Sequence, residues 1–314
     1  MPMTIRPVTR RSFLQMTAAG AGALMASRLW ADVRPLTDAN RFALFSDTHI
    51  NADPLTISRR CNMADQLNTA VRQVLALDAT PAAVLINGDC AHQTGEAGDY
   101  VQLLKLTAPL SNGGLPVCCA LGNHDQRDRF WQADRTNGDR AGSQRLAEDR
   151  QMLLIKSPHA NWIVLDTLDV PRAVPGRVGE AQLRLLERTL DDPRHASTPT
   201  LIMMHHNPEP TADPAATQPA KGVIGVLDTK PLFDVLLRRK HVKAVFFGHT
   251  HKWERSAIEG MHLVNLPAIG YPFAETQPTG WIDFRIAEKG AKGTLVCIDP
   301  KFPKAGETID LAWR

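Results

Sequence analysis

From Arg41 onward, short apolar runs alternate with stretches whose apolar residues recur at helical spacing. The runs at 42–45, 83–86, 116–121, 162–165, 201–204 and 244–247 are continuous rather than alternating. Such runs predict strands covered on both faces. Between the first two, Ala64, Leu67, Val71 and Val74 fall on one side of a helix. Leu183, Leu186 and Leu190 do the same after Gly179-Glu180. Repeated strand–helix units predict an α/β layered domain. After Met261 the pattern changes: 261–267, 281–286 and 294–298 are successive strands without long helices between them. The economical expectation is a second sheet packed on the first.

No repeat or linker divides residues 32–314, which predicts a single domain. Residues 134–145 and 207–222 carry the least pattern. The second stretch is rich in Pro and Ala and directly follows His205-His206, so it is a candidate wall for a site, with a plain surface loop as the alternative.

The formal charge of +3 is misleading, because it is concentrated at the start of the chain. Residues 1–31 hold four arginines (Arg6, Arg10, Arg11, Arg28) and no acid, which leaves 32 basic against 33 acidic residues, a net of −1, in the rest. The remainder therefore has no global positive field for a nucleic-acid polymer or an anionic membrane. Thr9-Arg10-Arg11-Ser12-Phe13-Leu14-Gln15 resembles a twin-arginine export pattern. An uncharged Ala/Gly-rich stretch and small residues at Ala26 and Ala31 follow it. The expectation is a 1–31 signal read by the twin-arginine machinery, hence a periplasmic or otherwise exported protein. No run approaches the roughly 18 apolar residues of a membrane span, so stable membrane insertion is not expected. The five cysteines have no CxxC spacing, and buried free thiols are the expectation. Oligomeric state has no signature in the sequence.

Five polar clusters carry the chemistry: Asp47-Thr48-His49, Gly88-Asp89, Gly122-Asn123-His124-Asp125, His205-His206 and Gly248-His249-Thr250-His251. They contain six of the eleven histidines. Each lies just past the carboxyl end of an apolar run, the edge where open α/β sheets bind ligands. Side chains two apart in extended chain point the same way, so Asp47/His49 and His249/His251 can each offer two donors to one cavity. Asp, Asn and His together suit Mn, Fe, Zn or Co rather than Ca or an iron–sulfur cluster. Seven or eight donors exceed what one tetrahedral ion uses, so two divalent or trivalent transition-metal ions are expected.

In order and spacing, the five clusters resemble the DxH, GD, GNHD, H and GHxH motifs of the calcineurin-like metallophosphoesterases, over about residues 41–273. Thr94-Gly95-Glu96 with Tyr100, Gly179-Glu180-Ala181-Gln182-Leu183 and His205-His206-Asn207-Pro208 are most similar to the class III cyclic-nucleotide and glycerophosphodiester phosphodiesterase branch. The resemblance implies a four-layer sandwich, two central mixed β-sheets flanked by α-helices. It implies that Asp47, His49, Asp89 and His251 hold one ion and that Asp89, Asn123, His205 and His249 hold the other. It also implies in-line attack on a phosphate ester by a metal-bridging hydroxide, with His124 stabilising charge or protonating the leaving oxygen and Asp125 orienting it.

Some roles stay open in the sequence. His205 is the expected fourth-motif ligand and His206 a supporting or substrate-facing group, but the two can exchange. His92 stands where many relatives carry an acid, and is either a substrate contact or a solvated loop residue. Tyr271 and Phe273 are candidates for the mouth of the site. The expected activity is phosphodiester hydrolysis on a small phosphate ester. The alternatives are a phosphomonoesterase of purple-acid-phosphatase type and a non-catalytic metal-binding scaffold. The HxHxDH run of metallo-β-lactamase-type hydrolases is absent from His249-Thr250-His251-Lys252-Trp253.

Overall fold

A computed structural model describes residues 36–134, 142–209 and 222–314. The 1–31 export segment lies outside these residues, as does most of the two pattern-poor stretches. In chain order the strands begin with β1 (Thr37–Phe45), β2 (Ile57–Ser58), β3 (Cys61–Asn62), β4 (Thr80–Asn87), β5 (Val117–Ala120), β6 (Ser143–Arg145), β7 (Leu153–Lys156) and β8 (Asn161–Leu165). They continue with β9 (Thr200–Met204), β10 (Val242–Phe247), β11 (Glu254–Ile258), β12 (Met261–Asn265), β13 (Gly280–Ala287), β14 (Gly290–Cys297) and β15 (Thr308–Ala312). Helices among the described residues are α1 (Met63–Leu75), α2 (Ala97–Asn112), α3 (Arg127–Ala133), α4 (Glu180–Asp191) and α5 (Thr229–Leu237).

Two mixed sheets form, in the orders β15-β14-β13-β1-β4-β5 and β11-β12-β10-β9-β8-β7-β6. Strands β1, β4 and β5 are parallel, as are β8, β9, β10 and β12. This corrects one expectation. The late strands do not make a sheet of their own: β11 and β12 complete the second sheet, while β13 to β15 return to the first, with β13 antiparallel to β1. Strand periodicity predicts neither outcome, because partner choice is set by packing between distant segments.

The continuous apolar runs have a direct explanation. Successive side chains on a strand face opposite ways, so Phe42 and Leu44 enter the core between the sheets while Ala43 and Phe45 meet the helices outside. On the second sheet Trp162 and Met203 point inward, and Ile163 and Met204 point out toward α4 and α5. Trp162 anchors the central core, with ring centroids 5.6, 5.1 and 5.6 Å from Phe42, Phe246 and Phe284. Burying side chains of this size stabilises by roughly 1.5–3 kcal/mol each. Helix, sheet, sheet and helix are thus the four layers, as expected.

Helix α1 buries the residues named from the sequence and is capped by Asn62, whose side chain accepts the Asp65 N–H at 2.9 Å. Helix α2 opens with the Asp99 carboxylate accepting the Glu96 N–H at 3.3 Å. The other Asp99 oxygen accepts from Ala52 N at 2.8 Å and so ties the loop after β1 to the helix. No disulfide joins the five cysteines, and all but the half-buried Cys61 are buried. Among the described residues, no helix is long and apolar enough to cross a membrane.

Candidate metal centre

The parallel strands of both sheets deliver their carboxyl ends to one seam. Asp47 and His49 follow β1, Asp89 follows β4, and Asn123 and His124 follow β5. From the other sheet, His205 and His206 follow β9, and His249 and His251 follow β10. Carboxylate–imidazole contacts cross the seam: Asp89 Oδ2 lies 3.3 Å from His205 Nε2, and Asp47 Oδ1 lies 3.3 Å from His251 Nε2. His49 Nε2 is 3.1 Å from His251 Nε2 and 3.7 Å from Asp89 Oδ2.

Left-handed backbone aims these side chains. Asp47, His49, Asp89, His249 and His251 all have positive φ, between 45° and 67°. That region costs a non-glycine residue roughly 1–2 kcal/mol, and such strain persists only where the surroundings over-determine it. Here the loops bond to one another: His49 N–H donates to Asp89 O at 2.9 Å, Gly248 N–H to His205 O at 2.9 Å, and His249 N–H to Asp47 Oδ1 at 3.1 Å.

The imidazoles are turned by their outer nitrogens. His205 Nδ1 meets Asn87 O at 2.9 Å, His251 Nδ1 meets Tyr271 O at 2.5 Å, and His124 Nδ1 meets Gln93 O at 3.1 Å. A carbonyl can only accept, so each Nδ1 carries the proton and each Nε2 presents its lone pair inward when the ring is neutral. This is the arrangement found behind metal-bound histidines.

Charge in the site is balanced by the same groups. Burial pushes Asp89 upward, but His205, His49 and His124 together hold it well below the usual carboxylate range. Burial works against the His205 charge, yet Asp89 and Asp47 lift it to about 9. Burial carries His49 down to about 3 and His249 to about 4.

The donor set fits metal ions. His205/His206/His249, Asp47/His49/His251, His49/Asp89/His124 and Asp47/Asp89/His205 each bring one ligand atom apiece within 4.8 Å of the others. Bonds of about 2.0–2.2 Å to neighbouring donors produce donor–donor edges of roughly 3.0–3.6 Å, which brackets the 3.1 and 3.3 Å separations. Asn123 Oδ1 and His206 Nε2 are buried with no hydrogen-bond partner among the described residues, atoms that a cation would satisfy. Above them lies a cavity of about 410 Å³, walled by His124, Asn123, Val174, Ile224, Lys252 and Phe273 among others. A larger cavity, about 590 Å³, runs along the β11 edge and holds no such cluster.

Two sequence readings change and a third narrows. Asp125 does not touch the His124 ring. Its carboxylate accepts from the backbone N–H groups of Cys90, Ala91 and Gly122, at 3.1, 3.0 and 2.9 Å, and from Tyr100 Oη at 3.2 Å. It pins the GD loop to the GNHD loop, and the Gln93 carbonyl orients His124 instead. His92 is neither solvated nor in the cavity wall: it is 8% exposed, with Nε2 2.7 Å from Ser58 Oγ. Of its open readings, His206 does not take the substrate-facing one: it is 0% exposed, with Nδ1 2.8 Å from Thr167 Oγ1, and its ring groups with those of His205 and His249. Thr167 was missed although it stands two residues past β8, where strand-end logic applies as it did elsewhere. Tyr271 and Phe273 stack on His49 and His251, and only Phe273 walls the cavity.

Known proteins agree with this geometry. The model of the family described as calcineurin-like phosphoesterase matches residues 40–253. The chain is 28% identical to the 3',5'-cyclic adenosine monophosphate phosphodiesterase CpdA of Pseudomonas aeruginosa over 224 residues, 69% of this chain and 72% of that one. It is 24% identical to the enzyme of the same name from Haemophilus influenzae over 262 residues, 81% and 85% of the two chains. In fold it is similar to a dimetal phosphatase from Danio rerio, with a TM-score of 0.66 at 16% identity, covering 89% of this chain and all of that one. With five motifs converging at one seam and a family match over more than half its length, the chain belongs to the calcineurin-like phosphoesterase family.

Proposed function

We propose that this chain is a binuclear metal-dependent phosphodiesterase acting on a small phosphodiester of the cyclic-nucleotide kind. One observation carries the reading: two buried carboxylates and inward-turned imidazoles from both sheets converge beneath a cavity sized for one small ester. Cyclic-nucleotide esters are favoured because the relatives from Pseudomonas aeruginosa and Haemophilus influenzae are named for that activity. Asp47, His49, Asp89 and His251 would hold one ion, and Asp89, Asn123, His205 and His249 the other. His206 also offers a ring nitrogen close enough to join the second group. When bound, such ions supply Lewis acidity toward phosphate oxygens and acidify water. Mn, Fe, Zn and Co all suit the donors.

The chain's own groups supply the rest. His124 has a side chain 32% exposed and lines the cavity. With Nδ1–H donated to Gln93 O, a protonated ring carries its second proton on Nε2, the atom that would reach the leaving oxygen. Replacing His124 by Ala should lower kcat on an alkyl diester by about 10²–10⁴-fold. An aryl diester, whose leaving group needs little protonation, should lose far less. Equal losses on the two esters would exclude the proton-transfer role.

The function itself is tested with metal-stripped enzyme reloaded with Mn²⁺, Zn²⁺ or Co²⁺ and offered cyclic AMP and matched aryl mono- and diesters. Hydrolysis should require metal and favour diesters. Full activity after stripping would defeat the metal reading, and a monoester preference would move the chain to the purple-acid-phosphatase type. Residues 1–31 support export by the twin-arginine route, which would place the substrate outside the cytoplasm.

A further inference from the structure

Resting on the metal-centre reading above, the geometry points to a brace outside the ligand set: Arg59, Tyr271 and Phe273 position His49 and His251 for one of the two ions. The Tyr271 ring stacks on His49 with centroids 4.7 Å apart and planes 22° from parallel. Phe273 stacks on His251 at 3.9 Å and 8°. A single guanidinium, that of Arg59, sits over both aromatic rings, 4.9 Å from the Phe273 centroid and 5.9 Å from that of Tyr271. Aromatic faces are negative, so a cation over them is held electrostatically.

His49 shows why such a brace is needed. His205, His251 and His124 are each fixed by an Nδ1–H bond to a carbonyl. His49 Nδ1 is buried without a hydrogen-bond partner among the described residues, so ring stacking does the work that a carbonyl does for the others. Phe273 is 51% exposed, more than core packing alone would explain for a large apolar ring.

The hairpin that carries Arg59 is built at a disadvantage. Strands β2 and β3 pair Ser58 with Cys61, leaving Arg59-Arg60 as a two-residue loop. Both arginines have positive φ, 47° and 68°, where such loops favour Asn-Gly. Each has a partner across the site. Arg59 covers the two rings, and Arg60 pairs with Glu275 of the segment that carries them. On its other side the hairpin is tied to the GD loop through Ser58 and His92. Strain retained at two adjacent positions, both directed at one segment, is the mark of a positioning device rather than a tolerated turn.

The test replaces Arg59-Arg60 by Asn-Gly in the full chain, with Phe273→Leu as an independent variant at an exposed position. Zn²⁺ binding to the metal-free protein is followed by chelator competition, and Co²⁺ spectra report the two sites. The wild type should bind two ions. Each variant should hold one as tightly as the wild type and the other about 10–100-fold more weakly, the range for lost support behind a ligand. The Asn-Gly chain, freed of turn strain, should melt no lower than the wild type without metal. Unchanged affinities, or equal weakening of both ions, would overturn the brace. A wild type that binds no transition metal would instead defeat the metal-centre reading on which it rests.

Discussion

Asp89→Asn should lower kcat/KM on a phosphodiester by at least about 10³-fold, some 4 kcal/mol of lost transition-state stabilisation, and leave the protein with fewer than two ions. The side chain keeps its shape and one oxygen, so the bond from His124 N–H to Oδ1, 2.9 Å in the native chain, can persist and the fold with it. What disappears is the negative charge that three imidazoles surround. Without it His205 loses the nearer of the two carboxylates that lift its proton affinity, and both ions would lose the one carboxylate common to the two proposed ligand groups. Metal content by atomic emission, kcat/KM and a thermal melt should be measured on one preparation. Wild-type metal content and turnover in the variant would remove Asp89 from the centre.

A single methyl group should do comparable damage from outside the ligand set. A Cβ at Gly122 would lie 2.2 Å from Asp89 Oδ1, 2.6 Å from Asp89 N and 2.6 Å from His205 Cδ2. The second of these is backbone, so no rotamer change relieves the clash. Gly122→Ala should therefore cost about 1–3 kcal/mol of stability, as overpacking does, and displace Asp89 and His205 together. The expected result is a lowered melting temperature, loss of metal from the site that uses His205, and at least about 10²-fold lower activity. Gly114→Ala is a useful control because nothing lies within 4 Å of its added Cβ, although its φ of 81° brings backbone strain. If Gly122→Ala behaves no worse than that control, the close packing of these two loops is unimportant.

The strands that end in ligands were legible because burial on both faces forces continuous apolar runs and because each run stops at a polar cluster. Helix α2 was not. Its buried residues Tyr100, Leu103, Leu106, Thr107 and Leu110 do fall at helical spacing, but Pro109 inside it argues for a break. That proline sits near the helix end, where Gly113 N–H can still donate to its carbonyl. The short edge strands β6 and β11 are harder to read because Ser143–Arg145 and Glu254–Ile258 bury none of their side chains fully and so carry no apolar run. Candidate ligands could be picked out in the sequence, since Asp, Asn and His at strand ends have few other uses in such density. Support for those ligands could not. Asn87 O, Gln93 O and Tyr271 O are backbone atoms that any residue type would provide, and Asp125, to which the resemblance gives an orienting role, bonds instead to amides 3, 34 and 35 positions away.

The candidate centre draws three strand ends from one sheet and two from the other, and its closest charge contacts span the gap between them. An ion held there would act as a clasp at one rim of the sandwich, while the Trp162 cluster holds the middle. Separation of the layers from that rim would require breaking coordination bonds, so the bound metal would govern how readily the protein opens as well as what it cuts. The last donor, His251, lies more than two hundred residues after the first, Asp47, so the centre is complete only where the two sheets meet.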